Sequence, residues 1–273
     1  MIEKKDMALS LAQRLLLLLC LFLVCYILTA AASYLLGRVL VGRPAAALRI
    51  SAMLQDVLAF IVPAVITAVM VTRRPAELLC LRGKASGLVW LLMFAMLVVS
   101  VPAMDAIIYW NAHIPLPEGF AAVARAMEDQ AAGLMRTMLA DDSLASLAVN
   151  ILVVGIAAGF SEEILFRGCF QRLLTTGGIN RHVAIWMVAF VFSALHMQVY
   201  GFVPRMLLGA YFGYLLLWSG SLWLPIAAHV LNNTVYVVTA WWQVRHHSAD
   251  PLASEPMLWN WAITAASAIL AAA

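Results

Sequence analysis

The chain has 273 residues, of which 64% belong to the set AVILMFWYC and only 11% to the set DEKR, and its formal net charge is +3. A soluble domain carries about a quarter charged residues, because its surface must be solvated. The composition therefore excludes a soluble enzyme or a nucleic-acid-binding module and indicates a polytopic membrane protein that resides in a lipid bilayer.

The first apolar run covers residues 15–36 and follows Lys4 and Lys5. The small residues at 30–32 are also compatible with a cleaved signal peptide. However, the run is longer than a signal-peptide core, and several more apolar runs follow it. We therefore predict a retained first helix.

Two further spans are predicted at about 51–72 and 87–109, since about 20 apolar residues cross a bilayer. The loop between them is the densest basic segment, and the positive-inside rule places it in the cytoplasm. The N-terminus is then cytoplasmic as well, in the plasma (inner) membrane of a bacterium. Over the whole chain, basic residues divide almost evenly between the two sides of the membrane, with Arg205 assigned to the outer side. The basic residues of the loop are Arg73, Arg74, Arg82 and Lys84.

The longest polar interruption covers residues 111–142. Apolar side chains recur there at helical spacing among acidic and basic ones, which predicts an amphipathic helix lying at the membrane interface. A lid over a site is the alternative interpretation. The recurring apolar residues are Phe120, Val123, Met127, Leu134 and Met138.

The remaining apolar runs predict five more spans. They start near Leu144, cover about 183–200, 203–218 and 222–242, and start again near Pro256. We therefore expect an all-α fold, a polytopic membrane helical bundle with about eight transmembrane helices and an interfacial amphipathic helix between the third and fourth. The expected single membrane domain, 1–273, consists of N-terminal spans with the interfacial helix (1–142), core helices (143–242) and a last span (255–273).

Ionisable side chains inside spans are costly, so each one is a functional hypothesis. Glu163 and Arg167 are four residues apart on one helix face, where a structural ion pair also explains both. Glu162 points about 100° away around the helix, so that Arg167 cannot easily serve both carboxylates. A carboxylate without a local partner suits a general base.

Two histidines lie in later spans. His196 comes one turn after Phe192, which is expected to pack against its ring, and His229 comes one turn before Asn233. Either histidine alone is also explained as a structural residue. Polar groups of this kind on three separate helices indicate a shared site.

Two pairs of glycines have the GxxxG spacing, and this spacing predicts close packing of helices in a membrane. The pairs are Gly155 with Gly159 and Gly209 with Gly213.

A carboxylate, two histidines and an asparagine suit the hydrolysis of an amide. Glu162 takes a proton from water held by His196, and His229 with Asn233 donates hydrogen bonds to the oxyanion. No HExxH zinc helix occurs, and no cofactor is expected. The alternative is zinc, since two histidines and one carboxylate are a known catalytic ligand set, here Glu162, His196 and His229.

The motifs jointly resemble those of the CPBP family, which comprises the type II CAAX prenyl endopeptidases and the bacteriocin-processing (Abi) proteins. The resemblance implies an eight-helix intramembrane protease in which Glu162 and His196 activate water. It assigns the oxyanion hole to His229 and Asn233. Glu163 and Arg167 support them. The motifs, within about 159–236, are Glu162-Glu163-xxx-Arg167, Phe192-xxx-His196 and His229-xxx-Asn233.

Three functions compete. The first is an endopeptidase that cuts near the C-terminus of a membrane-associated peptide or protein, with or without a prenyl group. The second is a non-catalytic membrane scaffold or bacteriocin-immunity protein of the same fold. The third is a transporter with a proton relay, although the sequence shows no internal repeat that favours it.

Overall fold

The computed structural model describes residues 9–246 and 261–272. All regular secondary structure in this part of the chain is helical, so the predicted all-α class is confirmed. The helices are α1 (Leu11–Val39), α2 (Pro44–Val71), α3 (Pro75–Leu78), α4 (Gly87–Val99), α5 (Val101–Ala112), α6 (Glu118–Leu139), α7 (Leu144–Thr176), α8 (Arg181–Leu195), α9 (Phe202–Ser219), α10 (Trp223–Arg245) and α11 (Trp261–Ala272).

Among the described residues, three helices are long and apolar enough to cross a membrane, namely α1, α2 and α7. The pair α4 and α5, bent by 46°, makes a fourth if it is one span. Helix α8 has 15 residues and is therefore about 22 Å long, shorter than a hydrocarbon core of about 30 Å. The chain is an integral membrane protein by this criterion, and the expected count of about eight spans is not confirmed.

Several predicted boundaries shift for local reasons. The third span breaks at Ser100 because Pro102 lacks the N–H that would continue the preceding helix. The fifth ends at Leu195 instead of 200, since His196 caps the helix and Met197 has a φ of 56°. The expected start of the last span at Pro256 lies outside the described residues.

In the described part of the chain, three helical segments are π-helix, which has about one extra residue per hydrogen-bonded turn and occurs often at functional sites. One lies in α2 at Gln55–Ile61, and two lie in α7 at Ile151–Ala157 and Ile164–Gln171. Between the last two is the α-helical segment Ala158–Glu163. The motif Glu162-Glu163-xxx-Arg167 thus begins on a short α-helical segment that lies between two π-helical segments.

Both GxxxG pairs mediate close helix packing, as predicted. A Cβ added at Gly159 would lie 2.9 Å from the backbone nitrogen of Val230, so α7 and α10 touch at their backbones. A Cβ at Gly209 would lie 3.1 Å from both Arg167 Nη2 and Phe192 Cδ1. These contacts bring the helices of all three motifs together.

The amphipathic segment is helical over Glu118–Leu139 (α6), as predicted. It buries Ala121 and Ala124 and leaves Phe120 and Val123 about half exposed. Exposed aromatic and branched side chains on one face are consistent with contact to lipid. Its location at the membrane interface remains a prediction.

Candidate functional site

Glu163 and Arg167 form an ion pair with a 2.7 Å distance between Oε1 and Nη1, and both side chains are 0% exposed. Arg167 Nη2 also donates to the Gly209 carbonyl at 2.8 Å, and its guanidinium lies 4.6 Å from the centre of the Phe192 ring. A buried pair of this kind needs further hydrogen bonds to offset desolvation. Here Gly209 accepts one of them, so the pair acts as a fixed framework.

His229 is held by Glu163. Its Nδ1 lies 2.8 Å from Glu163 Oε1, and its ring stacks on Phe212 at 4.8 Å between centroids. An ionised carboxylate only accepts hydrogen bonds, so Nδ1 carries a proton. The other nitrogen, Nε2, consequently faces Glu162 Oε2 at 3.8 Å.

Glu162 differs from its neighbour. Its side chain is 14% exposed, against 0% for Glu163. The buried Oε2 atom has no hydrogen-bond partner among the described residues. Glu163 Oε2 is likewise without a partner, but Glu163 is fully buried and its Oε1 already accepts from Arg167 and His229. Glu162 is therefore the more accessible carboxylate.

His196 ends α8 and is exposed. Its Nδ1 lies 2.8 Å from the carbonyl oxygen of Phe192, so Nδ1 donates and Nε2 is left with a free lone pair. The Phe192 ring packs edge-on against it, as predicted, at 4.9 Å between centroids. The imidazole is also within electrostatic range of Glu162 and of His229. The structure therefore brings three predicted residues from three helices together.

Asn233 forms hydrogen bonds with residues outside the group of predicted catalytic side chains. Its Nδ2 donates to the Val154 carbonyl at 3.2 Å, and its Oδ1 accepts from Asn232 Nδ2 at 3.3 Å. None of the hydrogen bonds of the described residues joins it to the other predicted catalytic groups. An amide nitrogen has two hydrogens, so one donor of Asn233 remains, one turn beyond His229.

The zinc alternative gains no support from the geometry. Within residues 9–246 and 261–272, no three His, Cys, Asp or Glu side chains are grouped so as to hold a metal ion. Glu162 and His229 approach each other, but His229 already engages Glu163 through Nδ1. A ligand set of Glu162, His196 and His229 would require these side chains to move.

Sequence reasoning gave no chemical role to two residues that lie near the site. Asp56, on the π-helical segment of α2, is buried and accepts a hydrogen bond from Ser161 Oγ at 2.9 Å. Arg205 lies in the first turn of α9 and within electrostatic range of Glu162. The signal for Asp56 is a charge inside a span. For Arg205 it is a charge that directly follows the His196 motif.

Residues 144–235 match the family described as "Type II CAAX prenyl endopeptidase Rce1-like". A curated relative, "Uncharacterized protein YpbD" of Bacillus subtilis (strain 168), is 26% identical over 91 residues, which are 32% of this chain and 43% of the relative. The chain thus spans less than half the length of that relative. No solved structure matches. The resemblance predicted from the three motifs is confirmed over the segment that contains them.

Proposed function

We propose that the chain is an intramembrane endopeptidase of the type II CAAX prenyl endopeptidase Rce1-like family, a proposal supported by the match of residues 144–235 to that family. It hydrolyses a peptide bond near the C-terminus of a membrane-associated peptide or protein. The observation that carries the proposal is the free Oε2 of Glu162, 3.8 Å from Nε2 of a histidine whose other nitrogen is fixed. Glu163 then has a structural role, as the partner of Arg167 and His229, and the adjacent Glu162 has the chemical role.

In the proposed reaction, Glu162 takes a proton from a water molecule that His196 holds through Nε2. The water oxygen attacks the carbonyl carbon of the scissile bond and forms a tetrahedral intermediate. When the intermediate collapses, the C–N bond breaks and the proton passes to the leaving amine. The products are a new carboxylate and a shorter peptide with a free amine.

The oxyanion of that intermediate is stabilised by His229 and Asn233. Because the Nδ1 proton of His229 is held by Glu163, Nε2 donates only when the ring is an imidazolium. Glu163 lies at Nδ1 of the ring and Glu162 at Nε2, at 2.8 Å and 3.8 Å. Asn233 supplies its remaining amide hydrogen as the second donor.

We also propose an orientation and a location for the chain in the membrane. We place the N-terminus in the cytoplasm and the bundle in the inner membrane of a bacterium, with about eight spans and α6 at the interface. The basic loop between α2 and α4, which contains Arg73, Arg74 and Arg82, supports this orientation.

Peptide cleavage by the purified protein in detergent tests the function. Wild type is compared with Glu162→Gln, and Glu118→Gln serves as the control because Glu118 is exposed at the start of α6. Prenylated and plain peptides are each assayed with and without a chelator. We expect Glu162→Gln to lose at least about 100-fold in rate, since general acid–base catalysis contributes that much.

Each other outcome is informative. Loss of activity with chelator and recovery with zinc would replace the water-activating role of Glu162 by that of a ligand. Equal cleavage by Glu162→Gln and wild type contradicts the mechanism. If folded wild type cuts no peptide, the endopeptidase proposal fails, and capture of a membrane partner becomes the test of the scaffold hypothesis.

A further inference from the structure

Arg205 is a cation that the proposed reaction does not use. Its Nη2 donates to Gln198 Oε1 at 2.8 Å, whereas its buried Nη1 has no hydrogen-bond partner among the described residues. The guanidinium lies against Gly201, where an added Cβ would be 3.0 Å from Nη2. Arg205 therefore occupies the inside of the loop that connects the His196 motif to α9, with one donor free.

No carboxylate in the part of the chain that the structure describes forms an ion pair with Arg205. Glu128, on α6, instead accepts from Gln198 Nε2 at 2.7 Å and from the Tyr200 backbone nitrogen at 3.0 Å. A charged group inside a membrane bundle is costly unless it is paired. Glu128 and Glu162 lie within electrostatic range of this guanidinium, but its Nη1 donor is left for a ligand to use.

A cavity lies next to the loop that Arg205 contacts. A cavity of about 670 Å³ is lined by Glu128, Tyr200 and Gly201 among others, a volume in the range of ligand pockets. Gly201 also contacts the Arg205 guanidinium. The same guanidinium is within electrostatic range of Glu128, Glu162 and His196.

We propose that Arg205 binds the C-terminal carboxylate of the peptide substrate, an inference that rests on the proposed endopeptidase function. A planar guanidinium forms paired, charge-assisted hydrogen bonds with a carboxylate. Each residue of an extended chain adds about 3.3 Å, so a carboxylate held in one place sets how many residues separate the chain end from the scissile bond. Binding at Arg205 thus fixes the distance between the chain end and Glu162, and internal peptide bonds are not presented for attack.

The test compares two peptides that differ only at the C-terminus, one a free acid and the other an amide. The measured quantity is the ratio of their kcat/KM values, with prenylated and plain versions both assayed. We expect wild type to prefer the acid by about 10- to 100-fold, the contribution of a hydrogen bond to a charged group. In Arg205→Gln this ratio falls to about 1, and in Arg205→Lys it takes an intermediate value because the charge is kept.

Arg49→Gln is the matched control. Arg49 is also partly buried, but its donors are satisfied by Asn150 Oδ1, the Met138 carbonyl and Ser146 Oγ. Its loss is expected to lower stability and to leave the acid-to-amide ratio unchanged.

Failure of the inference is distinct from failure of the function. If wild type cuts both peptides with equal kcat/KM, or if Arg205→Gln keeps the wild-type preference, Arg205 only holds the loop and the proposal is wrong. If folded wild type cuts none of the peptides, the endopeptidase function fails and the assignment of Arg205 fails with it.

Discussion

His229 donates from Nδ1 to Glu163 Oε1 at 2.8 Å, and this bond joins α10 to α7. The same oxygen accepts from Arg167 at 2.7 Å. Glu163 therefore serves both as the counter-ion of Arg167 and as the group that orients the histidine. A carboxylate that fixes the tautomer of an imidazole recurs in catalytic sites, where it stabilises the imidazolium.

Glu163→Gln is expected to destabilise the protein, whereas Glu162→Gln is not. The first change leaves a fully buried Arg167 without its counter-ion, and breaking a buried pair costs about 3–5 kcal/mol. The second removes a charge that has no hydrogen-bond partner on Oε2. The free energy of unfolding of each variant in detergent micelles checks this. Equal destabilisation by the two substitutions would contradict the division of roles.

Asn233→Ala is expected to lower kcat by about 100- to 1000-fold, as loss of one oxyanion donor does. The KM should change little, because the donor acts mainly in the transition state. Val235→Ala is the control, since Val235 is exposed on the same helix and its side chain has no hydrogen-bonding group that could hold Asn233. A loss of similar size in both variants, in the same peptide assay, would assign the effect to helix stability.

The sequence predicted those parts of the site that lie within one helix. Glu163 and Arg167 are four residues apart, and Phe192 and His196 likewise, so helical geometry alone places each pair in contact. The contact of His229 with Glu163 depends on how α7 and α10 pack, which one sequence does not specify. Arg205 lies near the predicted start of the sixth span, and its proximity to Glu162 depends in the same way on how the helices pack.

The helix lengths and the π-helical segments were not predicted from the sequence. The hydrophobic runs predicted where the helices lie, but not where each helix breaks or ends. Helix α8 is therefore shorter than the expected span, and the expected third span is the bent pair α4 and α5. The π-helical segments also left no recognisable pattern. One extra residue per turn over seven or eight residues shifts the apolar periodicity too little to detect.

Gly159→Ala is expected to separate the two helices that hold the site. The new Cβ would meet the backbone nitrogen of Val230 at 2.9 Å, and backbone cannot move aside as a flexible side chain can. Such overpacking costs about 1–3 kcal/mol, and it moves Glu162 away from His229. Thermal unfolding and peptide cleavage measure the two effects. Gly37→Ala is the control, because no atom lies within 4 Å of its added Cβ, and a loss as large there would refute the packing explanation.

Glu128→Ala is expected to loosen the loop that follows His196. Both carboxylate oxygens of Glu128 accept hydrogen bonds from this loop, one from Tyr200 N and one from Gln198 Nε2. Loss of both bonds, at about 1 kcal/mol each, raises local opening roughly 30-fold. Hydrogen exchange of the loop amides should accelerate by that factor in Glu128→Ala and stay unchanged in Asp129→Ala, where the adjacent carboxylate is exposed. Unchanged exchange in Glu128→Ala would show that α6 does not restrain the loop, and the interpretation of α6 as a lid would lose its structural basis.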